Sequence, residues 1–404
     1  MAGLRPLMAG LRPLMAGLRP LMAGLRPLMV GLRRPDPWAV IAVQEVMNYD
    51  DCMDAGTHTV ADRGAAGSTH PSFVVGVEDR LAAVVAGEAR LDRGAARLLL
   101  ASGAKRARAQ VCRSLGSAFD VPGDVARELA VVVELIHGAS LLHDDVVDHS
   151  DRRRGLPTVN ATDGNAFAVL CGDLVLAKAL SVLAAVPGGP DMLVDAIDVI
   201  ERMTRSAVIE VEVRTALPPT AGALAVWREM ALGKTGALFG LCGTLIARAA
   251  NAGDEVRASL RHSLESIGLA FQLMDDLADV TGADVGKPRG QDLREHALNH
   301  TVLQAMAESA DLAAAVERYW QGGPGDEAGF NALCDAIVLH GAHRTVDEAR
   351  TAVQDGAMSH AALEREILPW ARTLVETSTR HVQTHSQWPG GQHEGLPTTV
   401  DPAS

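Results

Sequence analysis

The chain has few aromatic side chains, since only 3% of its 404 residues are Phe, Trp or Tyr. Hydrophobic residues nevertheless make up 48% of the sequence, so aliphatic side chains must fill a substantial core. The sequence also lacks an excess of positive charge, because 37 Lys and Arg against 50 Asp and Glu give a net charge of −13. Non-specific binding to nucleic acid needs a basic surface, so no nucleic-acid partner is predicted.

Cysteines and long apolar runs are also scarce. The five cysteines are scattered and include no Cys-x-x-Cys pair, so neither a zinc site nor a disulfide framework is predicted. This usage is typical of a reducing compartment and predicts a cytoplasmic protein. The longest uncharged apolar stretch is 235–247, shorter than the ~20 residues that a membrane-spanning helix needs. No transmembrane segment is therefore expected.

The N-terminus repeats the heptapeptide Met-Ala-Gly-Leu-Arg-Pro-Leu four times in residues 1–28. Each copy contains a Pro, which costs ~3 kcal/mol inside a helix, so a heptad coiled coil is excluded. The Arg in each copy interrupts the apolar run that a signal peptide needs. We interpret residues 1–37 as a disordered tail or an early start codon, with a weak basic membrane anchor as the alternative. Residues 38–76 are interpreted as an irregular lead-in.

From residue 77 to residue 382 the hydrophobic pattern is helical. Apolar residues recur at i, i+3, i+4 and i+7, and Pro and Gly separate the successive segments. Several candidate helices exceed 20 residues, such as 124–148 and 254–280, which is typical of long antiparallel helices around one core. We therefore predict an all-α bundle over 77–382, followed by a disordered tail over 383–404.

Two Asp-Asp-x-x-Asp clusters lie inside these apolar patterns, at 144–148 and 275–279. On a helix the first and last Asp of each cluster share one face. Carboxylates crowded on one face repel unless a cation neutralises them, and hard oxygen ligands suit Mg²⁺. The alternative interpretation is that each cluster is only a solvated acidic end of a helix. This is plausible for a single cluster, but less so for two clusters that both lie in apolar helices. The predicted metal ligands are Asp144, Asp145, Asp148, Asp275, Asp276 and Asp279.

Basic residues accompany both acidic clusters, at 105–108, at 152–154 and at Lys287. Taken singly, each basic run is more often a solvated surface. Lys234 differs because apolar residues flank it on both sides, and a lone buried Lys is costly. Since Arg and Lys both bind phosphate, the combination with metal-binding carboxylates indicates a phosphate-bearing substrate.

These motifs resemble those of the trans-isoprenyl diphosphate synthase family, also called the polyprenyl synthetases. The stretches 134–148, 153–158, 234–236 and 271–279 agree with the family motifs in order and spacing, within a resemblance that runs from about residue 80 to 382. The resemblance implies an isoprenoid synthase fold with a central cavity, and usually a homodimer. It also implies Mg²⁺-dependent head-to-tail condensation of isopentenyl diphosphate with an allylic diphosphate.

The same resemblance implies a role for each residue that matches a family motif. The catalytic set consists of five aspartates and one lysine: Asp144, Asp145, Asp148, Asp275, Asp276 and Lys234. The residues implied for the allylic diphosphate are Arg153, Lys234 and Lys287. Those implied for isopentenyl diphosphate are Lys105, Arg108, His137 and Arg154. Thr235 and Gln272 complete the substrate-binding set.

Some positions depart from the family pattern, and the sequence leaves two other functions to consider. Glu210 stands where many members carry Gln, and the segment 295–303 lacks a Lys that members usually have. A class I terpene cyclase shares the fold and the first aspartate motif, but usually replaces the second. A subunit of a heteromeric synthase that has lost catalysis typically loses its aspartates. Because all six aspartates are present, a synthase is favoured.

Three residues of the helix before Asp144 are predicted to control product length. Ile136, Ala139 and Ser140 lie eight, five and four positions before Asp144, and we expect them to line the tunnel for the growing chain. The small side chains of Ala139 and Ser140 predict an open tunnel and a product of geranylgeranyl length or longer. In the alternative interpretation, small residues serve only close packing against a neighbouring helix.

Overall fold

A computed structural model of the chain describes residues 73–87, 90–100, 106–153, 155–215, 220–283, 288–322, 326–357 and 361–385. The heptapeptide repeat, most of the lead-in and most of the C-terminal tail lie outside these ranges. Within them the chain is helical apart from one short hairpin, which confirms the predicted all-α class.

The elements of the N-terminal half of the described chain are α1 (Phe73–Val85), α2 (Arg90–Leu99), α3 (Ala107–Ala118), α4 (Gly123–Val147), β1 (Arg152–Arg153), β2 (Leu156–Pro157), α5 (Val159–Asp163), α6 (Asn165–Ala185) and α7 (Gly189–Thr215). Strands β1 and β2 pair antiparallel. The hairpin was not predicted, because strands of two residues are too short to show an alternating pattern.

The elements of the C-terminal half are α8 (Thr220–Ala231), a π-helical segment (Leu232–Gly236), α9 (Ala237–Ala249), α10 (Asp254–Thr281), α11 (Gln291–Arg294), α12 (His300–Glu308), α13 (Ala310–Gly322), α14 (Glu327–Ala357), α15 (Ala361–Glu366) and α16 (Leu368–His385). The pattern over 224–250 predicted one helix, whereas the structure has α8, the π-helical segment and α9 in succession.

Local sequence signals explain the ends of α4 and α10, the helices that carry the acidic clusters. Pro122 directly precedes α4, and Asp124 in the first turn suits the positive end of the helix dipole. Asp254 and Glu255 do the same for α10. Helix α10 ends at Gly282, whose φ of 75° is the left-handed conformation that terminates many helices.

The core forms around α4, α9 and α10. Residues 130–133 of α4 are all buried, so this helix is enclosed on every side. Helix α4 packs against α3, α6 and α9, and α10 packs against α9 and α14. The π-helical segment approaches α10 closely, because a Cβ added at Gly268 would lie 2.8 Å from the Cα of Gly236. Since both cluster-bearing helices contact α9, their acidic ends are held in one region.

Two described helices are long and apolar enough to span a membrane by length and composition alone, Asn165–Ala185 and Gly222–Ala249. The sequence analysis did not predict them, because it considered only stretches without any charged residue, and both helices contain charged residues. In Gly222–Ala249 the apolar window is 89% buried, so this stretch is core. In Asn165–Ala185 it is only 33% buried, so α6 presents an apolar surface to its surroundings.

Candidate active site

A cavity of about 1180 Å³ lies where α3, α4, α7, α8, the π-helical segment and α10 meet. Both acidic clusters and the cations near them contribute side chains to it. The predicted site residues that line the cavity are Arg108, His137, Ser140, Asp144, Asp148, Arg153, Lys234, Thr235, Gln272, Asp275 and Asp276. Three further predicted residues, Lys105, Arg154 and Lys287, lie outside the described residues, and their roles stay predictions.

The first cluster divides between the cavity and the protein interior. Asp144 and Asp148 line the cavity, as their helical spacing predicted. Asp145 is buried and does not line it, and the role of Asp145 as a metal ligand stays a prediction. Its Oδ1 instead accepts hydrogen bonds from Nε and Nη2 of Arg153, both at 2.8 Å. Burial raises the pKa of Asp145, and Arg153 opposes that rise.

The second cluster divides in the same way. Asp275 lines the cavity. Asp279 does not, because its carboxylate accepts the backbone N–H groups of Gln291 at 3.0 Å and Asp292 at 3.3 Å. This carboxylate holds the first turn of α11, and the role of Asp279 as a metal ligand stays a prediction.

Asp276 reaches the cavity wall, but hydrogen bonds already hold its carboxylate. It accepts from Nε1 of Trp227 at 2.8 Å, from Nε2 of Gln272 at 2.8 Å and from the backbone N–H of His300 at 2.7 Å. Burial, with a smaller contribution from Asp292, raises the pKa of Asp276 well above its usual range. Thr235 extends this network, because its hydroxyl donates to Oε1 of Gln272 at 2.7 Å.

Lys234 enters the cavity from the π-helical segment. Such a segment inserts one residue into a helix and redirects the neighbouring side chains, and it is frequent at functional sites. The Nζ atom lies 2.7 Å from Oε2 of Glu210 and 3.5 Å from Oδ2 of Asp144. Burial alone would lower the pKa of Lys234, but the carboxylates of Asp144 and Glu210 outweigh burial and raise it. The ammonium group is therefore charged at neutral pH.

Arg214 also lines the cavity, and the sequence analysis missed it. Its Nη1 lies 2.8 Å from Oδ1 of Asp148, and its Nη2 lies 2.9 Å from Oε1 of Glu210. The available signal was the spacing of Glu210 and Arg214, which are four residues apart on α7 and therefore share a face. The family pattern drew attention to Glu210 alone, and only the fold shows that Arg214 faces the first acidic cluster.

Arg108 and His137 also line the cavity. The guanidinium of Arg108 stacks 5.0 Å from the ring centre of Phe239. Burial lowers the pKa of Arg108, while the charge of Glu134 opposes this shift. Arg106, in the same basic run, has a structural contact, since its Nη1 lies 3.0 Å from Oε2 of Glu134.

The residues predicted to control product length differ in their placement. Ser140 lines the cavity, whereas Ile136 and Ala139 are buried and do not line it. The physical reason is helical geometry, because five residues at 100° each place Ala139 about 140° around the helix from Asp144. Ser140 is thus the one of these three that contributes to the cavity wall, and the roles of Ile136 and Ala139 in product length stay predictions.

The carboxylates that line the cavity fit a hard divalent cation. Asp144, Asp148 and Asp275 supply oxygen donors, the ligand type that Mg²⁺ prefers. Among the described residues, no three acidic, His or Cys side chains are already gathered closely enough to hold a metal ion. Mg²⁺ commonly completes its coordination with water and substrate phosphates, so this donor set suits a metal that binds together with a phosphorylated substrate.

Comparison with known proteins gives consistent results. Residues 91–337 match the family described as polyprenyl synthetase. The geranylgeranyl diphosphate synthase of Methanosarcina mazei is 32% identical over 227 residues, or 54% of this chain and 68% of the relative. The octaprenyl diphosphate synthase of Haemophilus influenzae is 31% identical over 277 residues, or 67% and 80%. The match to a short chain isoprenyl diphosphate synthase of Methanocaldococcus jannaschii spans only 54% of that relative.

Solved structures show the same similarity. A polyprenyl synthase from Caulobacter crescentus, complexed with calcium and isoprenyl diphosphate, aligns with a TM-score of 0.65 and 27% identity, over 77% of this chain and 94% of the other. A decaprenyl diphosphate synthase from Rhodobacter capsulatus aligns with a TM-score of 0.65 and 25% identity, over 77% and 96%.

Proposed function

Because the chain belongs to the polyprenyl synthetase family and is a prenyltransferase of the trans-polyprenyl type, we propose that it uses Mg²⁺ to condense isopentenyl diphosphate head to tail with an allylic diphosphate. The proposed product is a polyprenyl diphosphate of geranylgeranyl length or longer. One observation carries the proposal: Asp144, Asp148 and Asp275 line a single cavity together with Lys234 and Arg214.

The residues of the cavity account for the first chemical step. When the allylic C–O bond breaks, the electron pair stays on the departing diphosphate and an allylic cation remains. Mg²⁺ held by Asp144, Asp148 and Asp275 would supply charge that neutralises the diphosphate. Lys234 lines the same cavity and would add a positive charge near the departing diphosphate.

The second step joins the substrates. The double bond of isopentenyl diphosphate attacks the allylic cation, a carbon–carbon bond forms, and the new cation loses a proton to the released diphosphate. Arg108 and His137, which also line the cavity, would hold the diphosphate group of isopentenyl diphosphate. Apolar side chains such as Phe271 and Met230 line the cavity and help to keep water from the cation.

Product length and oligomeric state are further parts of the proposal. Ser140 and Gly138 give the α4 wall small side chains, which supports a longer product. The exposed apolar residues of the neighbouring helices α6 and α7 support a homodimer, because a second copy that presents the same surface would cover them. These residues are Val169, Leu170, Val194, Ile197, Val208 and Val211.

We also propose a cytoplasmic location. The described cysteines are all free and buried, which fits a reducing compartment.

The test is incorporation of labelled isopentenyl diphosphate by the purified protein with farnesyl diphosphate as primer. We expect label in an organic-extractable product with Mg²⁺ and none with a chelator. Asp144→Asn should abolish most incorporation, whereas Arg205→Gln, on the solvent side of α7, should not. Absence of incorporation by the wild-type protein with Mg²⁺ would refute the proposal.

A further inference from the structure

Glu210 connects two cations of the cavity. Each of its carboxylate oxygens holds a different one, Oε2 with Lys234 at 2.7 Å and Oε1 with Arg214 at 2.9 Å. The carboxylate is largely buried, and the attraction of Lys234 and Arg214 overcomes the effect of burial and lowers the pKa of Glu210. Glu210 is therefore ionised and fixes the two cations side by side on the wall of the cavity.

Each of these cations also contacts one aspartate of the first cluster. Lys234 lies 3.5 Å from Asp144, and Arg214 lies 2.8 Å from Asp148. Five side chains thus form a continuous series of ion pairs, in which three carboxylates and two cations leave a net charge of −1. Asp144 and Asp148 therefore each already have a protein cation as a partner.

This arrangement makes free metal and protein cations competitors for the same carboxylates. A divalent ion that enters alone must displace Lys234 from Asp144 and Arg214 from Asp148, and both cations then lose favourable charge contacts. When a divalent ion enters together with a diphosphate, the lost contacts of the two cations can be replaced. The displaced ammonium and guanidinium can then pair with phosphate oxygens, and an Arg can bind phosphate through two N–H groups.

We propose that Arg214 is a further cation for the allylic diphosphate, and that Asp144 and Asp148 and the two cations that contact them exchange partners when substrate binds. Arg214 turns from Asp148 to a phosphate oxygen, and Lys234 turns from Asp144 in the same way. Glu210 keeps both cations in position during this exchange. The inference rests on the proposed function, since it names a residue that binds the allylic substrate of that reaction.

A purely structural role for Arg214 predicts a different outcome. In that case the residue only ties α7 to the end of α4, and its loss would weaken metal binding and substrate binding together. Partner exchange predicts effects of opposite sign. Without Arg214, Asp148 loses the cation that contacts it at 2.8 Å, so free metal should bind more tightly, whereas the diphosphate should bind more weakly because one positive contact is missing.

The test compares wild type, Arg214→Gln, Arg214→Lys and the control Arg205→Gln. Arg205 lies on the same helix, but it is solvent-exposed and pairs only with Glu201 among the described acidic residues. Binding of Mn²⁺ to the free protein is followed by electron paramagnetic resonance. Binding of a non-ionising thiolo analogue of an allylic diphosphate, with Mg²⁺ present, is followed by calorimetry. Circular dichroism checks that each variant is folded.

For Arg214→Gln we expect Mn²⁺ to bind several-fold more tightly and the analogue to bind about tenfold more weakly, the usual range for loss of one charged hydrogen bond. Arg214→Lys should retain part of the analogue affinity, and Arg205→Gln should match wild type. Weaker binding of both ligands by Arg214→Gln, or no change in either, would overturn the inference. If the binding effects appear but wild type incorporates no isopentenyl diphosphate, the proposed function fails while the exchange stands.

Discussion

At the scale of single residues, the two acidic clusters show how far helical spacing can be trusted. The spacing of four residues predicted that Asp144 and Asp148 share a face, and both line the cavity. In the second cluster Asp275 lines the cavity, whereas Asp279 holds the start of α11, because the chain turns at Gly282 and returns α11 to Asp279. Spacing fixes the direction of a side chain along its helix, but it cannot show which later segment arrives there.

This division predicts different consequences for two aspartates of one cluster. Asp275→Ala should lower kcat by about 100-fold or more, because it removes a ligand for transition-state charge, while unfolding free energy changes by less than about 0.5 kcal/mol. Asp279→Ala should cost about 1–2 kcal/mol of stability, because two backbone N–H groups of α11 lose their acceptor. Turnover assays and denaturant unfolding of both variants check this. Equal stability losses in the two would contradict it.

A partly buried hydrogen bond between His300 and Glu348 predicts a pH effect on stability. Glu348 lies 2.8 Å from Nε2 of His300, and this hydrogen bond is the main reason why the pKa of Glu348 is lowered from its ordinary value of 4.5. A lowered pKa means that the stabilisation is complete above the unfolded-state pKa and is lost as pH falls through the folded-state pKa.

Glu348→Gln should therefore destabilise the protein at pH 7 by about 1 kcal/mol, and the difference from wild type should shrink below pH 4.5. Urea unfolding from pH 7 to pH 3.5 measures it. A difference that stays constant over this range would show that the charge of Glu348 has no part in stability.

At the scale of elements, hydrophobic periodicity located the long helices well. It missed two short features, the β1–β2 hairpin and the π-helical segment. The predicted helices over 124–148 and 254–280 match Gly123–Val147 and Asp254–Thr281 to within a residue. The π-helical segment was missed because it inserts a single residue, and a hydrophobic pattern read over many residues does not reveal so small a slip. Yet this segment is what directs Lys234 into the cavity.

The π-helical segment depends on close contact with α7. A Cβ added at Gly233 would lie 1.8 Å from Oγ of Ser206, so Gly233→Ala should displace the segment and Lys234 with it. We expect kcat to fall about tenfold or more, since displacements near 1 Å can cost that much. The double variant Gly233→Ala/Ser206→Ala removes the clashing oxygen and should recover part of the loss. A double variant no more active than the single one would argue against this explanation.

At the scale of the whole molecule, the fold class and the family were accessible from the sequence because several separate motifs agree in order. The ion pair of Arg214 with Asp148 was not accessible, because it depends on the approach of α7 to the end of α4. The apolar surface of α6 and α7 was also missed. Its residues read as ordinary helical hydrophobics, and only the packing shows that they are left outside the core.

The proposed dimer makes this surface testable. Ile197→Glu places a charge at the centre of the exposed apolar face of α7 and should convert the dimer to a monomer, because burying an unpaired charge is costly. Leu339→Glu on α14 is the control, since Leu339 is similarly exposed but lies elsewhere. Light scattering coupled to size-exclusion chromatography gives the mass. A monomeric wild type, or an Ile197→Glu variant that stays dimeric, would contradict the assignment of the interface.

The central claim is that the cavity joins an allylic diphosphate to isopentenyl diphosphate and keeps the diphosphate on the product. Mass spectrometry of the reaction of purified protein, Mg²⁺, farnesyl diphosphate and fully ¹³C-labelled isopentenyl diphosphate tests it most directly. The account predicts diphosphate products that are heavier than the primer by whole labelled isoprene units. A hydrocarbon that carries no label and no diphosphate would identify a cyclase instead. A primer that is not consumed would contradict the proposed role of Asp144, Asp148 and Asp275 in binding Mg²⁺ for the reaction.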